Sequence, residues 1–564
     1  MRQESTLRGF IARNLGLLIA AALLAGGAWW LAAPGGAASG GGWLLVLLGG
    51  FGLLVGAFDL AQTQRSVLRN YPIIGHARYL MEGIRPEMRQ YFIEDDDAEV
   101  PFSRHQRAIV YQRAKSELQT RAFGTDRNVY GDDYEWINHS MAPTRIASRD
   151  FRILVGAGRA QPYNASVFNI SAMSYGSLSA NAILALNGGA RRGGFYHDTG
   201  EGSISRFHRE HGGDLVWEIG TGYFGCRNDD GSFSEDRFAE NARDPQVKMI
   251  ELKLSQGAKP GQGGLLPGAK VTPEIAAARG VPVGEDVYSP AWHGEFDTPI
   301  GLLQFIDRLR RLSGDKPTGF KLAIGHPWEW LAIARAMVET GIVPDFIGVD
   351  GGEGGTGAAP LEFSDHVGVP MKEGLMLVHN TLVGLDLRGR IRIGAAGKII
   401  TAFDIARTLA IGADWCNSAR GFMFALGCIQ SRSCHTDHCP TGVATQDPTR
   451  QRSLVVTDKI ERVHRFHENT LEALRQLLQA AGIAHPDDLA PEHIIRRLSQ
   501  TEVHSLARLY PQLQPGELLQ GRQRETRHEV FDRFWAQARA DRFAAPDRVG
   551  SARRASAKTA PARQ

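Results

Sequence analysis

GFKLAIGHPWEWLAIARAMVETGIVPDFIGVDGG, residues 319–352, decides the fold. A short β-rich run ends in glycine, a helical stretch WEWLAIARAMVETG follows, and a second β-rich run again ends in glycines. Two strands joined by a helix belong side by side and parallel in one sheet. The same rhythm extends outward through VFNISAMS (167–174), MIELKLSQG (249–257), RIRIGAAG (390–397) and ADWCNSARG (413–421), with helical TAFDIARTLAIG (401–412) between the last two. The count predicts a closed (β/α)8 barrel, a TIM barrel, rather than an open sheet. No G-x-G-x-x-G follows an early strand, which argues against a dinucleotide-binding Rossmann fold. There is no clear internal repeat.

In such a barrel the C-terminal ends of the strands line the active site, and the loops after the last two strands commonly hold a phosphate. That rule nominates Gly397 and Lys398 after RIRIGAA, and Ser418, Ala419 and Arg420 after DWCN. Taken singly, each loop also reads as an ordinary glycine turn. Lys321 projects at a strand end inside the mouth, where a buried cation needs an anion. The N1 edge of a reduced flavin and a neighbouring carboxylate both satisfy it. DGGEGGTGAAP, residues 350–360, is dense enough in glycine to let a flat ring approach the backbone.

Three of the five cysteines, Cys428, Cys434 and Cys439, fall in the twelve residues CIQSRSCHTDHC. So compact a set beside His435 and His438 points to a metal centre. An iron–sulfur cluster and a Cys3His zinc site both stay open on this spacing, as do plain buried thiols. Structural zinc usually draws its ligands from two spaced pairs, which these are not.

A chain of 564 residues exceeds a single core, so appendages are expected. Its 64 basic and 61 acidic residues give a net charge of +3, and it has no aromatic-interleaved basic stripe; no nucleic-acid partner is expected. Glycine, at 65 residues, suits many tight loops near a ligand. From Asn14 to Phe58 there is no charge, and the apolar runs 15–33 and 43–60 flank PGGAASGGG. About 20 helical residues cross a bilayer, so these predict a transmembrane hairpin with Trp29, Trp30 and Trp43 at the interface. A cleavable signal peptide is the weaker reading, since a second apolar run follows directly. Arg2, Arg8 and Arg13 precede the first run and Arg65, Arg69, Arg78 and Arg85 follow the second. Both flanks, and the catalytic part, are therefore expected on the cytoplasmic side of the inner membrane.

The expected organisation is a hairpin over 1–64, a lead-in subdomain packing on the barrel over 65–164, the barrel over 165–450, a helical extension over 451–545 and a basic tail over 546–564. In the extension, DKIERVHRFHENTLEALRQLLQAAGI reads as an amphipathic helix whose His464 and His467 belong to its surface.

Taken in order, SAMSYGSLS, TGEG, QGAKPGQGGLLPGAKV, GGTGAAP and ALGCIQSRSCHTDHCPTGVATQ resemble the synthase domain of glutamate synthase over approximately residues 165–450. The resemblance implies an FMN-binding (β/α)8 barrel and a 3Fe-4S cluster on Cys428, Cys434 and Cys439. It implies Ala172, Met173 and Ser174 against the flavin, Gln256 and Lys321 at its polar edge, and Gly351 and Gly352 nearby. Gly397, Ala419 and Arg420 are implied for its phosphate, although the chain departs from the family's Gly-Thr there. Thr199, Glu201, Lys259 and Gln262 are implied to face substrate, with Lys321, Gln262 and Glu201 carrying the chemistry. Gln262 stands where the family carries Glu in K-P-G-E-G-G. Tyr223, in GTGYFGC, stands where the family usually has Arg, and so removes a possible partner of a dicarboxylate.

The implied activity is a membrane-anchored oxidoreductase reducing an imine, such as 2-iminoglutarate from 2-oxoglutarate and ammonia, to an amino acid such as glutamate. The amidotransferase domain and the glycine-repeat β-helix are not found in this sequence, so ammonia is expected from solution or a separate amidotransferase subunit. Electrons are expected from a donor such as ferredoxin or another reductase. The two departures keep open an amine–glutamate transferase-type subunit without net redox, and a membrane electron-transfer module lacking substrate chemistry.

Overall fold

The computed structural model describes residues 2–38, 40–96, 101–120, 122–520 and 529–543; the expected basic tail, 546–564, lies outside them. The chain divides into two compact units, Met1–Ala98 and Glu99–Gln564.

In the first unit, Arg2–Ala32 and Gly40–Ala61 are helices. Arg13–Ala32 and Gly40–Ala61 are each long and apolar enough to cross a membrane. Glycine lets the two helices touch: a Cβ on Gly49 would lie 2.4 Å from the backbone nitrogen of Leu24. Residues 65–98, expected with the barrel, group instead with these helices. The physical reason is Asp59, buried in the last turn of the second helix, whose carboxylate accepts the Ile73 amide at 2.9 Å and contacts His76 Nε2 at 2.9 Å.

The second unit is built on eight parallel strands in chain order: β1 (Phe168–Ile170), β2 (His197–Asp198), β3 (Leu215–Ile219), β4 (Val247–Lys253), β5 (Thr318–Ala323), β6 (Phe346–Asp350), β7 (Arg392–Ala396) and β8 (Trp415–Ser418). Each pairs with the next and β8 pairs with β1, closing the barrel. Strands covered on both faces read as continuous apolar runs, and every residue of β5 is buried. The helix Pro327–Thr340 starts on proline and stops at Gly341, whose φ of +70° suits a residue without a side chain. At the barrel's N-terminal end, Asp345 ties Arg159 (2.7 Å), Arg310 (3.1 Å) and the Thr318 amide (2.9 Å) into one buried knot. That end serves stability; the C-terminal ends are left for chemistry.

The helical extension does not simply follow the barrel. Val456–Ala481 lies on the helix Ala180–Gly193, where a Cβ on Gly189 would stand 2.3 Å from Val463 Cγ1. His467, expected on the helix surface, is buried and stacks on Phe195 at 3.9 Å between ring centroids, with Nε2 against Ser166 Oγ. Its helix is sandwiched between neighbours and so has two apolar sides. From the lead-in segment, Glu135–Ile137 pairs with Ile494–Arg497, and Glu135 holds Lys372 and Arg407.

Candidate active site

Lys321 rises from β5 into the barrel interior, 3 % exposed. Its ammonium pairs with Glu218 from β3, and with Glu251 from β4 at 3.3 Å. Asp198 at the end of β2 and Asp350 at the end of β6 complete the surroundings. Carboxylate oxygens of Asp198, Glu218 and Glu251 lie within 4.8 Å of one another, the one group with metal-ligand spacing among the described residues. Lys321 already supplies that group with a cation. Burial opposes the charge on Lys321, but Glu218, Glu251, Asp350 and Asp198 outweigh it and hold the ammonium well above its ordinary range. Burial pushes Glu251 up to about 7, against the pull of Lys321 and with the help of Glu218. Burial and Glu251 together raise Asp198 as well. One lysine cannot neutralise four carboxylates in a dry interior, so protons must make up the balance.

Above this cluster lies a cleft lined by Glu201, Lys253, Gln256, Lys259 and Gln262. Glu201, on the loop after β2, pairs with Lys253 at 2.8 Å. Burial alone would raise Glu201, yet Lys253, Arg279 and Lys259 hold its carboxyl at about 2. Burial and then Lys253 lower the Lys259 ammonium, with Glu201 opposing. Arg279 is buried, gives Nη2 to the Tyr175 carbonyl at 3.1 Å, and has an Nε without a hydrogen-bond partner. Three cations therefore surround one carboxylate.

Ala172, Met173 and Ser174 follow β1, and Gly200 touches them so closely that a Cβ would lie 2.6 Å from the Ser174 nitrogen. Gly352 accepts the Ala258 amide at 3.1 Å, joining the loops after β4 and β6. Gly351, Gly397 and Arg420 are brought together by a residue that sequence reasoning left unnamed, Glu353. Its carboxylate accepts the Met371 amide at 3.0 Å and fills the space where side chains on Gly351 and Gly397 would go. Its carbonyl accepts Arg420 Nη2 at 2.8 Å, and Ala419 caps the helix that Arg420 begins. Glu353 is the only charge in the glycine run 351–360, and that was the available signal.

Cys428, Cys434 and Cys439 sit on a loop tied to the same mouth. Gln446 donates to the carbonyls of Gly176 and Leu178 at 3.0 Å each, beyond Ala172–Ser174. Lys270 donates to the Cys434 carbonyl at 2.9 Å, and Tyr111 to that of Cys428 at 2.6 Å. Burial pushes the Cys428 thiol up to about 12 and raises Cys434, while hydrogen bonds from Thr441 and nearby amides outweigh burial and lower Cys439. The three sulfurs are not drawn into the 4.8 Å grouping that the carboxylates make.

Two nominated substrate residues lie elsewhere. Thr199 is buried, its hydroxyl accepting the Glu218 amide at 3.1 Å and donating to the Gly200 carbonyl at 3.0 Å. Tyr223 is 3 % exposed among Phe233, Phe305 and His293, with its hydroxyl 3.1 Å from His293 Nδ1. Sequence reasoning missed Asp198, Glu218, Glu251, Lys253 and Arg279. A glutamate inside the otherwise apolar runs LVWEI and MIEL was the one visible sign.

The family model described as a conserved region in glutamate synthase matches residues 149–484. The glutamate synthase large subunit-like protein YerD of Bacillus subtilis (strain 168) is 38% identical over 498 residues, 80% of this chain and 94% of that one. An archaeal-type NADPH glutamate synthase of Thermotoga neapolitana is 35% identical over 314 residues, 56% of this chain and 59% of that one. The NADPH glutamate synthase large chain of Bacillus subtilis is 33% identical over 329 residues, 57% of this chain and 20% of that one.

Proposed function

The chain belongs to the glutamate synthase family and is an enzyme of that type, and we propose that it is a membrane-anchored oxidoreductase using FMN and a 3Fe-4S cluster to reduce an imine to an amino acid. The substrate class is the imine of 2-oxoglutarate, or of a related keto acid, with ammonia or an amine. The observation that carries this reading is the cleft in which Lys253 and Lys259 outnumber Glu201, with the buried Arg279 adding its charge from behind. A net cationic site beside a buried lysine suits a keto-acid carboxylate.

FMN, when bound, supplies the hydride. The residues fit such a group: Arg420, buried at the helix start after β8, offers a cation to a phosphate, and Lys321 a buried ammonium on β5, while the Glu353 carboxylate takes the space beside Gly351 and Gly397. Lys321 remains an ammonium and can stabilise negative charge nearby. Glu201, held ionised, fixes Lys253, and the lowered Lys259 is suited to pass a proton to substrate. Gln262 can donate a hydrogen bond but cannot carry a proton.

Cys428, Cys434 and Cys439 suit a cluster better than one tetrahedral zinc. The Cys428 thiol is raised by burial and in part by Cys434 and Cys439, so the three lie near enough to share one group, and their sequence spacing is not the paired spacing of a structural zinc site. Electrons would enter from an outside donor such as ferredoxin or another reductase, and ammonia from solution or a separate amidotransferase subunit. The two apolar helices support a hairpin anchor in the cytoplasmic membrane, with arginines on both flanks favouring a cytoplasmic barrel.

Low-temperature EPR on anaerobically purified protein tests the cluster, and reoxidation of the photoreduced protein by 2-oxoglutarate with ammonia tests the substrate. Gln262 in the cleft favours a second reading, an amine–glutamate transferase-type flavoprotein without net redox. Binding of glutamate and an amine without reoxidation selects it. A flavin spectrum indifferent to every keto acid and amine would leave an electron-transfer module.

A further inference from the structure

The helix Gly75–Met88 continues into one π turn, Arg89–Ile93, and every residue from Leu80 to Arg89 is exposed. A lone helix of this length is marginal in water, and its apolar side chains are conspicuously uncovered: Leu80 at 62 %, Met81 at 58 % and Phe92 at 78 %. Those side chains are not scattered. Leu80, Met81, Ile84 and Met88 fall within an arc of roughly 100° at helical spacing, and Ala77 lies inside it. Arg78, Arg85 and Arg89 line one edge of that arc. Phe92 stands four positions beyond Met88, and Ile93 is 73 % exposed beside it.

The start of this helix is fixed in place. Ile73 gives its amide to Asp59, and His76 contacts the same carboxylate. Asp59 ends the uncharged stretch and stands in the last turn of the apolar helix Gly40–Ala61. If that helix crosses a bilayer, Asp59 marks the level of the headgroups, and the next helix begins there. A helix that leaves this level with an apolar arc and an arginine edge has the character of one lying in the membrane plane.

We propose that residues 75–93 form an in-plane membrane helix, with Leu80, Met81, Ile84, Met88 and Phe92 entering the acyl boundary and Arg85 and Arg89 meeting anionic phospholipid headgroups, Arg78 being paired with Glu82 at 3.0 Å. The inference rests on the reading of the two apolar helices as a membrane anchor, and adds a second, amphipathic contact to it. Arginine near an anionic surface contributes about 1 kcal/mol each, so lipid composition must matter.

The test uses the full chain in nanodiscs containing phosphatidylglycerol, with photoreactive p-benzoylphenylalanine replacing Met81 or Phe92. Leu54, 72 % exposed on the second apolar helix, serves as the spanning control, and Val455, 57 % exposed in the second unit, as the solvent control. Mass spectrometry should find lipid adducts at positions 81 and 92 comparable to those at 54, and few at 455. Replacing anionic by zwitterionic lipid should lower the yield at 92 at least about fivefold, the equivalent of one arginine contact. Adducts at 54 without adducts at 81 and 92, or crosslinks from 81 and 92 to protein, would overturn the in-plane helix and leave the anchor standing. An unchanged yield in zwitterionic lipid overturns the headgroup contact. Absence of adducts at 54 overturns the anchor, and this inference with it.

Discussion

Two ion clusters share the mouth of the barrel and are unbalanced in opposite senses. Around Lys321, one ammonium faces the carboxylates of Asp198, Glu218, Glu251 and Asp350, the first three of them sealed from solvent and Asp350 partly buried. In the cleft above, one carboxylate, Glu201, faces Lys253 and Lys259, with the buried Arg279 behind it. The same chemical group responds oppositely: Glu251 is pushed up to about 7 and Glu201 is held at about 2. Excess negative charge in a dry place is relieved by taking up protons, and excess positive charge near solvent by taking up an anion. The inner cluster is thus suited to holding protons and the outer one to receiving a carboxylate.

The sharpest way to break this contrast is Lys321→Met. Removing the sole cation from four buried carboxylates should cost on the order of 3–5 kcal/mol, read as a large fall in the thermal midpoint. Any reoxidation of the photoreduced flavin by substrate should slow with it. A midpoint near that of the unaltered protein would show that protons, rather than Lys321, already neutralise the cluster.

Next in size is Glu201→Gln, which strands Lys253 and Lys259 without their anion. Turnover should drop by about a hundredfold, the scale of a lost proton-handling group. The sign in stability follows from a depressed carboxyl. Its contribution is present above the unfolded value of 4.5 and is lost as pH falls towards about 2. Unfolding followed from pH 5 down to 2 should therefore be less acid-sensitive in the glutamine variant. Equal acid sensitivity in both proteins would remove Lys253 as the partner that matters.

Glu251→Gln reverses that sign. A raised carboxyl favours folding fully below 4.5, and the contribution is lost as pH rises through about 7. The variant should gain on the natural protein across that window, most at its alkaline end. Thermal midpoints at pH 5 and pH 8 measure the difference, and an infrared band of a protonated carboxyl, lost in the variant, identifies the proton holder.

How much of this was legible depends on how each feature is written in the chain. The strand–helix–strand unit at 319–352 declared itself because strands buried on both faces spell unbroken apolar runs, bracketed by Pro327 and Gly341. β2, only His197 and Asp198, is too short to form a run. The cleft residues Glu201, Lys259 and Gln262 were legible through contiguous motifs, TGEG and QGAKPGQGG. The inner carboxylates were not, because each comes from a different strand and only barrel closure assembles them. His467 was misjudged because a helix packed on two sides shows the same periodicity as one packed on a single side.

The smallest expected effect belongs to Tyr223, the position whose departure from arginine first raised doubt about substrate. A backbone carbonyl can only accept, so His293 must donate Nε2–H to the Lys253 carbonyl, 2.8 Å away. Nδ1 is then free to accept the Tyr223 hydroxyl, and burial, which lowers His293 to about 4, keeps the ring neutral as this requires. Tyr223 therefore reaches the cleft only through His293 and the backbone of Lys253. Tyr223→Phe should cost about 1–2 kcal/mol in stability, for the bond to His293 and the longer one accepted from the Glu295 amide, and leave the KM for keto acid unchanged. Tyr223→Arg should instead destabilise, because a second guanidinium beside Phe233 and Phe305 would compete with Arg308, which already lies over both rings and holds Glu295 at 3.1 Å. Should the arginine variant fold normally and bind 2-oxoglutarate more tightly, the aromatic wall would have to open onto the cleft, and the division between a binding surface and its support would fall.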